Sequence, residues 1–382
     1  MEIPHHRSNE SNALVLQGGG ALGAYQAGAY EALEAEGRAP DWIAGISIGA
    51  INAAIIAGNT AHHRVAKLRQ FWELVSSGLQ GSQLVPGQTS RTIFNETSAW
   101  FATLIGIPGF FTPRLLPPMF QIPGSPGALS YYDTAPLKAT LEELIDFDIL
   151  NSTGPRTSVG AVNIKSGNIV YFDSNERRLG VEHIMASGAL PPGFPPVMID
   201  GEAYWDGGLV SNTPLQYLLD NHRHEQDMCV FQIDLFSAKG EMPKTILEAA
   251  EREKEIRYSS RTRFNTSTAS EILRLRKAAA RLAHKLPVEM RDDSDLRALN
   301  AIPLVGEMSI VHLIHRPSAY DTQSMDVEFS RLSMVEHWNA GKNDVLKTLN
   351  SAIWQNRSKP HDGIAIYDLT KPTAGTENAN EH

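Results

Sequence analysis

The chain has 382 residues, 42% of them hydrophobic, 8% aromatic and 20% charged, a composition that excludes a disordered or fibrous protein. Lys and Arg number 34 against 43 Asp and Glu, and the resulting formal charge of −9 argues against a nucleic-acid partner. The single cysteine, Cys229, excludes an internal disulfide framework and any multi-cysteine metal site, and its place in the apolar run 228–236 predicts a buried, inert thiol.

Taken in chain order, residues 1–12 are polar and read as a flexible tail, and residues 13–17 read as a buried strand. Gly18, Gly19 and Gly20 form a tight loop, and 21–36 is a run of strong helix formers. A second short strand is expected at 42–46, a small-residue buried helix at 48–57 and a further helix at 62–79. Strand-like runs recur at 156–162, 169–172 and 228–236, with helical stretches between them. This alternation predicts an α/β fold with a mostly parallel central sheet, layered between helices, and a largely helical C-terminal part. The longest low-polarity stretch, 99–111, is interrupted by Pro108 and falls short of the roughly 20 residues that cross a bilayer, so a cytoplasmic protein is expected.

Two regions depart from the alternation. Residues 97–132 carry one charge, Arg114, with six prolines from Pro108 to Pro126 and seven aromatic residues from Trp100 to Tyr132. Such proline density predicts irregular structure, and such apolarity predicts something other than a solvated loop. The second region, 244–285, holds eleven Lys and Arg against five Glu, a local charge of +6 that leaves −15 on everything else. Within it, Ile272, Leu275, Ala279, Leu282 and Leu286 line one helical face and Arg274, Lys277, Arg281 and Lys285 another. That pattern suits peripheral contact with an anionic membrane, or docking on the rest of the chain or on a second subunit of a homo-oligomer. From about residue 355 the chain turns polar and reads as a second tail.

The chemistry concentrates in three short motifs. In Gly45-Ile46-Ser47-Ile48-Gly49, a serine sits between a strand and a helix, on a turn whose tightness requires neighbours without bulk two residues away. Gly45 and Gly49 meet that need, and the helix start with the Ile48 N–H favours developing negative charge. The second motif, Gly18-Gly19-Gly20-Ala21-Leu22-Gly23, satisfies the dinucleotide fingerprint, but the next strand ends in Ser47 rather than in the acidic residue that would hold a ribose. Its consecutive N–H groups can instead bind an oxyanion. For the base that Ser47 needs, His312 and His315 are the candidates that a late-histidine triad would use, with structural roles as their alternative. Asp206 in Asp206-Gly207-Gly208 is the other candidate base, a plain turn being its alternative.

Together these motifs resemble the patatin-like phospholipases. The resemblance rests on Gly18 to Gly23, on Gly45 to Gly49 and on Asp206 to Gly208. Two further stretches carry it, Ala186-Ser187-Gly188-Ala189-Leu190-Pro191 through Val197, and Ser211-Asn212-Thr213-Pro214-Leu215. It implies a three-layer α/β/α fold over residues 13–219, with Ser47 as nucleophile and Asp206 as base. Gly18, Gly19, Gly20 and Ile48 would form the oxyanion hole, with Gly23, Gly45, Gly49, Gly207 and Gly208 as the motif glycines. It implies a lipid carboxylic ester as substrate, an acyl-enzyme intermediate, and neither metal nor cofactor. Leu22 stands where many members carry Arg or Lys, so backbone N–H groups alone would serve the oxyanion. A general carboxylesterase or storage-polyester depolymerase is the alternative, with a silent lipid-binding scaffold further off. Residues 97–132 would then border the acyl cleft or act as a lid, or else fill the core or an oligomer interface. Residues 220–354 resemble a C-terminal extension of some bacterial members, on the strength of Val327-Glu328-Phe329-Ser330 and Trp338-Asn339-Ala340-Gly341.

Overall fold

Residues Glu10–Leu16 form β1, and almost every one of its side chains is buried, as a strand flanked by parallel neighbours and covered on both faces requires. The computed structural model describes residues 10–78, 87–222, 226–240, 242–259, 306–316, 324–358 and 364–370, with isolated residues between 271 and 295. After β1 a short 3-10 turn leads into α1 (Gly23–Ala35), then β2 (Trp42–Gly45), α2 (Ile48–Ala57), α3 (Ala61–Val75) and α4 (Gln88–Ile105). There follow β3 (Thr112–Pro113), β4 (Tyr132–Asp133), α5 (Ala135–Leu144), α6 (Phe147–Leu150), β5 (Arg156–Asn163), β6 (Ile169–Asp173) and α7 (Val181–Ser187). The chain continues with β7 (Val197–Ile199), β8 (Glu202–Asp206), α8 (Leu215–Asn221), β9 (Asp227–Asp234) and α9 (Ile246–Tyr258). Among the described residues the remaining elements are β10 (Met308–Ile314), α10 (Arg331–Leu349), α11 (Ala352–Gln355) and β11 (Ile364–Asp368).

Among the described residues nine strands share one sheet, in the order β11-β10-β9-β1-β2-β5-β8-β7, with β6 also paired to β5. From β11 to β5 every neighbouring pair is parallel, while β6, β7 and β8 run antiparallel to their partners. Alternate residues of β1 feed two cores. Leu14 and Leu16 pack with α1, α2 and α3, and Ala13 and Val15 face Leu215 and Leu218 of α8 on the other side. This is the layered α/β architecture that the alternation predicts. Cys229 is fully buried in β9. Among the described residues no helix is long and apolar enough to cross a membrane.

The part beyond residue 219 is woven into the same sheet. It supplies β9, which lies directly against β1, then β10 and β11. Its helix α10 packs on α1 so closely that a Cβ on Gly28 would stand 1.9 Å from the Trp338 carbonyl oxygen and one on Gly341 2.0 Å from that of Tyr25. β11 falls within 355–382, where sequence alone suggests a tail; the run Ile364–Asp368 is short and polar-flanked, and only its pairing with β10 makes it a strand. At the other end β1 starts at Glu10, inside the stretch read as a leading tail. The irregular structure expected over 97–132 holds only beyond residue 105, because α4 runs through to Ile105 before the first proline of the region intervenes. The predicted basic face of Arg274, Lys277, Arg281 and Lys285, and the apolar face with Ile272, fall on a stretch of which only isolated residues are described.

Candidate active site

Two strands meet end to end along one edge of β5. β2 runs parallel to the first half of β5, pairing Trp42 through Gly45 with Arg156 through Val159. β8 arrives antiparallel along the same edge, pairing Tyr204 through Asp206 with Asn163 through Ala161. β6 occupies the opposite edge, facing Ser158 through Val162. β2 ends in the turn that carries Ser47, β8 ends on Asp206, and at the slot between them both residues line the same cleft.

Ser47 has φ 54° and ψ −123°, a strained backbone for a residue with a Cβ, held on a tight turn at a strand–helix junction. A Cβ on Gly45 would lie 2.4 Å from the Gly49 carbonyl oxygen, and one on Gly49 would lie 2.4 Å from that of Leu16. The turn therefore closes only with both glycines. The Ser47 N–H donates to Ser187 Oγ at 3.0 Å, and Ser187 Oγ donates in turn to the Gly160 carbonyl at 2.7 Å. This fully buried hydroxyl ties the strained turn to the middle of β5.

Asp206 is 2% exposed, and its Oδ1 accepts from the Gly208 N–H at 2.7 Å. Burial pushes its carboxyl up to about 7, against the weaker downward pull of the Gly208 and Ser47 hydrogen bonds. A carboxylate so poised is a far better base near neutral pH than an ordinary aspartate. Gly207 must be glycine here, since a Cβ would stand 2.5 Å from the Gly160 carbonyl oxygen.

The glycine loop lies across from this pair. Gly18, Gly19, Gly20, Ser47, Ile48, Asp206 and Gly208 line one cleft of about 370 Å³. The Gly18 N–H is occupied by the Asn212 carbonyl at 3.2 Å, which corrects the expectation that Gly18 donates to an oxyanion. The N–H of Ile48, first residue of α2, has no partner inside the helix, and Ile48 lines the cleft beside Ser47 with Gly19 and Gly20. Gly20 has φ 54°, and a Cβ there would stand 2.1 Å from the Asp326 carbonyl oxygen, which accepts the Ala21 N–H at 2.8 Å. Gly23 packs on the elbow helix, where a Cβ would lie 2.5 Å from the Ile48 side chain.

The rest of the cleft is apolar. Ile51, Ala102, Phe110, Phe111, Leu190, Pro191, Phe194, Phe236 and Phe329 contribute, and Phe110, Phe111, Phe194 and Tyr132 form a ring cluster with centroids 4.7 to 6.1 Å apart. Residues 97–132 thus both line the cleft and face outward. Sequence reasoning assigned no part of the site to the region after 219, yet Lys254 and Tyr258 of α9 and Asp326, Val327 and Phe329 form a wall of it. Lys254 is paired with Asp326. Asn212 Nδ2 joins the halves, donating to the carbonyls of Gly18 and Tyr258, each at 3.0 Å. His312 and His315 are buried and stand outside the cleft lining. His315 packs edge-on against Tyr25 and His337, and burial holds it well below the ordinary histidine range.

A family model described as patatin-like phospholipase matches residues 14–219, more than half of the chain, and a second, described as patatin phospholipase, matches residues 256–361. No curated protein matches the chain. Among solved structures, VipD from Legionella pneumophila is 14% identical with a TM-score of 0.39, over 88% of this chain and 66% of that one. ExoU from Pseudomonas aeruginosa is 15% identical with a TM-score of 0.24, over 76% and 68%. The full-length SpcU–ExoU complex gives 17% identity and a TM-score of 0.26, over 68% and 51%. The chain spans about two thirds of VipD and about half of the chain matched in that complex.

Proposed function

Because the chain belongs to the patatin-like phospholipase family, we propose that it hydrolyses carboxylic esters of lipids, with Ser47 as nucleophile and Asp206 as its base. The observation that carries this reading is the convergence of Ser47 and a desolvated Asp206 on one apolar cleft. Asp206 takes the proton as Ser47 Oγ attacks the ester carbonyl carbon, and the carbonyl electrons move onto oxygen. The N–H groups of Gly19, Gly20 and Ile48, at the positive end of α2, receive that oxyanion. Collapse expels the alcohol, which leaves with the proton held by Asp206, and Ser47 keeps the acyl group. Asp206 then deprotonates a water that attacks the acyl-enzyme, and the fatty acid is released as Ser47 regains its proton.

The apolar lining suits an acyl chain, and the size of the cleft falls in the range of small-molecule sites. Hydrolysis of phospholipid, lysophospholipid, monoglyceride and soluble short-chain ester by wild type, Ser47→Ala and Asp206→Asn tests the reading. Turnover of at least one lipid ester that falls by roughly a thousandfold or more in both variants supports it. Undiminished hydrolysis by Ser47→Ala would remove it.

A further inference from the structure

One wall of the cleft has a second face. Ala102 and Thr103 of α4 line the cleft, while Trp100, Leu104 and Ile105 of the same helix stand 66%, 62% and 60% exposed. The chain that follows does the same. Phe110 and Phe111 turn inward, and beyond them Met119, Phe120 and Ile122 are at least 70% exposed. Eleven large apolar side chains between residues 100 and 131 face solvent, whereas isolated apolar residues on a surface carry no such meaning. Arg114, the one charge between 97 and 132, turns inward to Ser130 and Asp133. The ridge therefore presents hydrocarbon without a charge of its own.

We infer that this ridge seats the protein on a lipid bilayer, with residues 115–122 entering the boundary between headgroups and acyl chains. The choice of a bilayer rests on the lipid-ester reading of the cleft. A long-chain ester is held in a membrane and must be drawn from it, and the ridge is continuous with the wall that would receive it. A second copy seated on the ridge would leave that substrate to cross water. An apolar ridge also makes a distinct demand on lipid composition. It binds neutral membranes and resists salt, whereas a basic segment such as 244–285 needs anionic lipid and is screened by salt.

The test uses the full chain carrying Ser47→Ala, so that vesicles survive and binding is read without turnover. Co-sedimentation with phosphatidylcholine vesicles, at low and high salt, is compared with that of the same protein bearing Met119→Ser, Phe120→Ser and Ile122→Ser. These three side chains lie outside the cleft lining. The ridge predicts binding to the neutral vesicles that survives high salt and weakens roughly tenfold or more in the triple variant. In the Ser47 background the triple variant would hydrolyse a soluble short-chain ester within about twofold of wild type, which shows that it folds. Binding unchanged in the triple variant, binding only to anionic vesicles at low salt, or a dimer in solution that the triple variant abolishes would each overturn the inference. Vesicle binding by a protein that hydrolyses no ester would retain the ridge and remove the enzymatic reading instead.

Discussion

The Asn212 side-chain amide donates to the Tyr258 carbonyl at 3.0 Å, and so fastens the end of α9 to the loop that carries Gly18. Gln17 Nε2 reaches the same carbonyl at 3.1 Å, and Gln17 Oε1 accepts the N–H of Phe236 at 2.9 Å. The glycine loop is thus held from two sides by residues that follow position 219. A cleft of this construction is a property of the whole sheet.

A chain ending after residue 222 would lose β9, and β1 would become an exposed edge with an apolar face uncovered. We expect that truncation to aggregate or to lack cooperative unfolding, by size-exclusion chromatography and thermal circular dichroism. A monodisperse truncation with a sharp transition would show the first 222 residues to be a self-sufficient unit.

The Asp206 carboxyl, raised from 3.8 to about 7, gives activity and stability opposite pH dependences. In the proposed mechanism the carboxylate is the base, so kcat/KM is expected to rise through about pH 7 and level off above it. The folded state holds its proton up to about pH 7, whereas the unfolded state releases it near 3.8. Between those values folding therefore binds protons, and the unfolding free energy falls as pH rises, by on the order of 2 to 4 kcal/mol. Asn in place of Asp206 keeps an acceptor for the Gly208 N–H and removes the titration. Asp206→Asn should be inactive and, at pH 8, more stable than wild type by denaturant titration. An activity limb near pH 4, or an unaltered stability slope in Asp206→Asn, would contradict this assignment.

Ser187→Ala removes a hydroxyl that bridges the Ser47 N–H and the Gly160 carbonyl in a fully buried position. Both groups would be left without that partner, at a cost of about 1 to 3 kcal/mol in stability. The turn at Ser47 loses its tether to β5, so kcat should fall roughly tenfold while KM changes by less than about twofold. Steady-state kinetics on a soluble ester reads both. A change confined to KM would place Ser187 against the substrate rather than beneath the turn.

Much of the fold was legible because local signals agreed. The helix 48–57 is apolar, small-sided and bounded by Ser47 and Gly58, and its predicted limits match α2. β1, β2, β5 and β9 match their apolar runs to within a few residues, since parallel strands buried on both faces leave a continuous signature. Ser47 and Asp206 are legible as candidates from their glycines, which record close approaches of backbone. Their meeting could not be derived from spacing, because it depends on β2 and β8 sharing one edge of β5. Lys254 and Asp326 stand in no motif, and the stretch holding Phe329 carried only a resemblance with no site role: a wall contributed by distant elements has no local pattern. β11, which lies within the stretch read as a tail, was missed for the same reason, as five residues in a polar surround take strand form only against β10. Gly18 was misassigned because sequence shows a glycine but not that its N–H already has a partner in Asn212.

The most direct measurement of the central claim is labelling of the full chain with a fluorophosphonate probe, followed by mass spectrometry of the modified peptide. Attack by an activated serine on phosphorus should leave a single adduct on Ser47, formed more slowly below pH 7 and absent from Ser47→Ala. An adduct on another residue, or labelling that persists in Ser47→Ala, would contradict the assignment of Ser47 and Asp206 as the reactive pair.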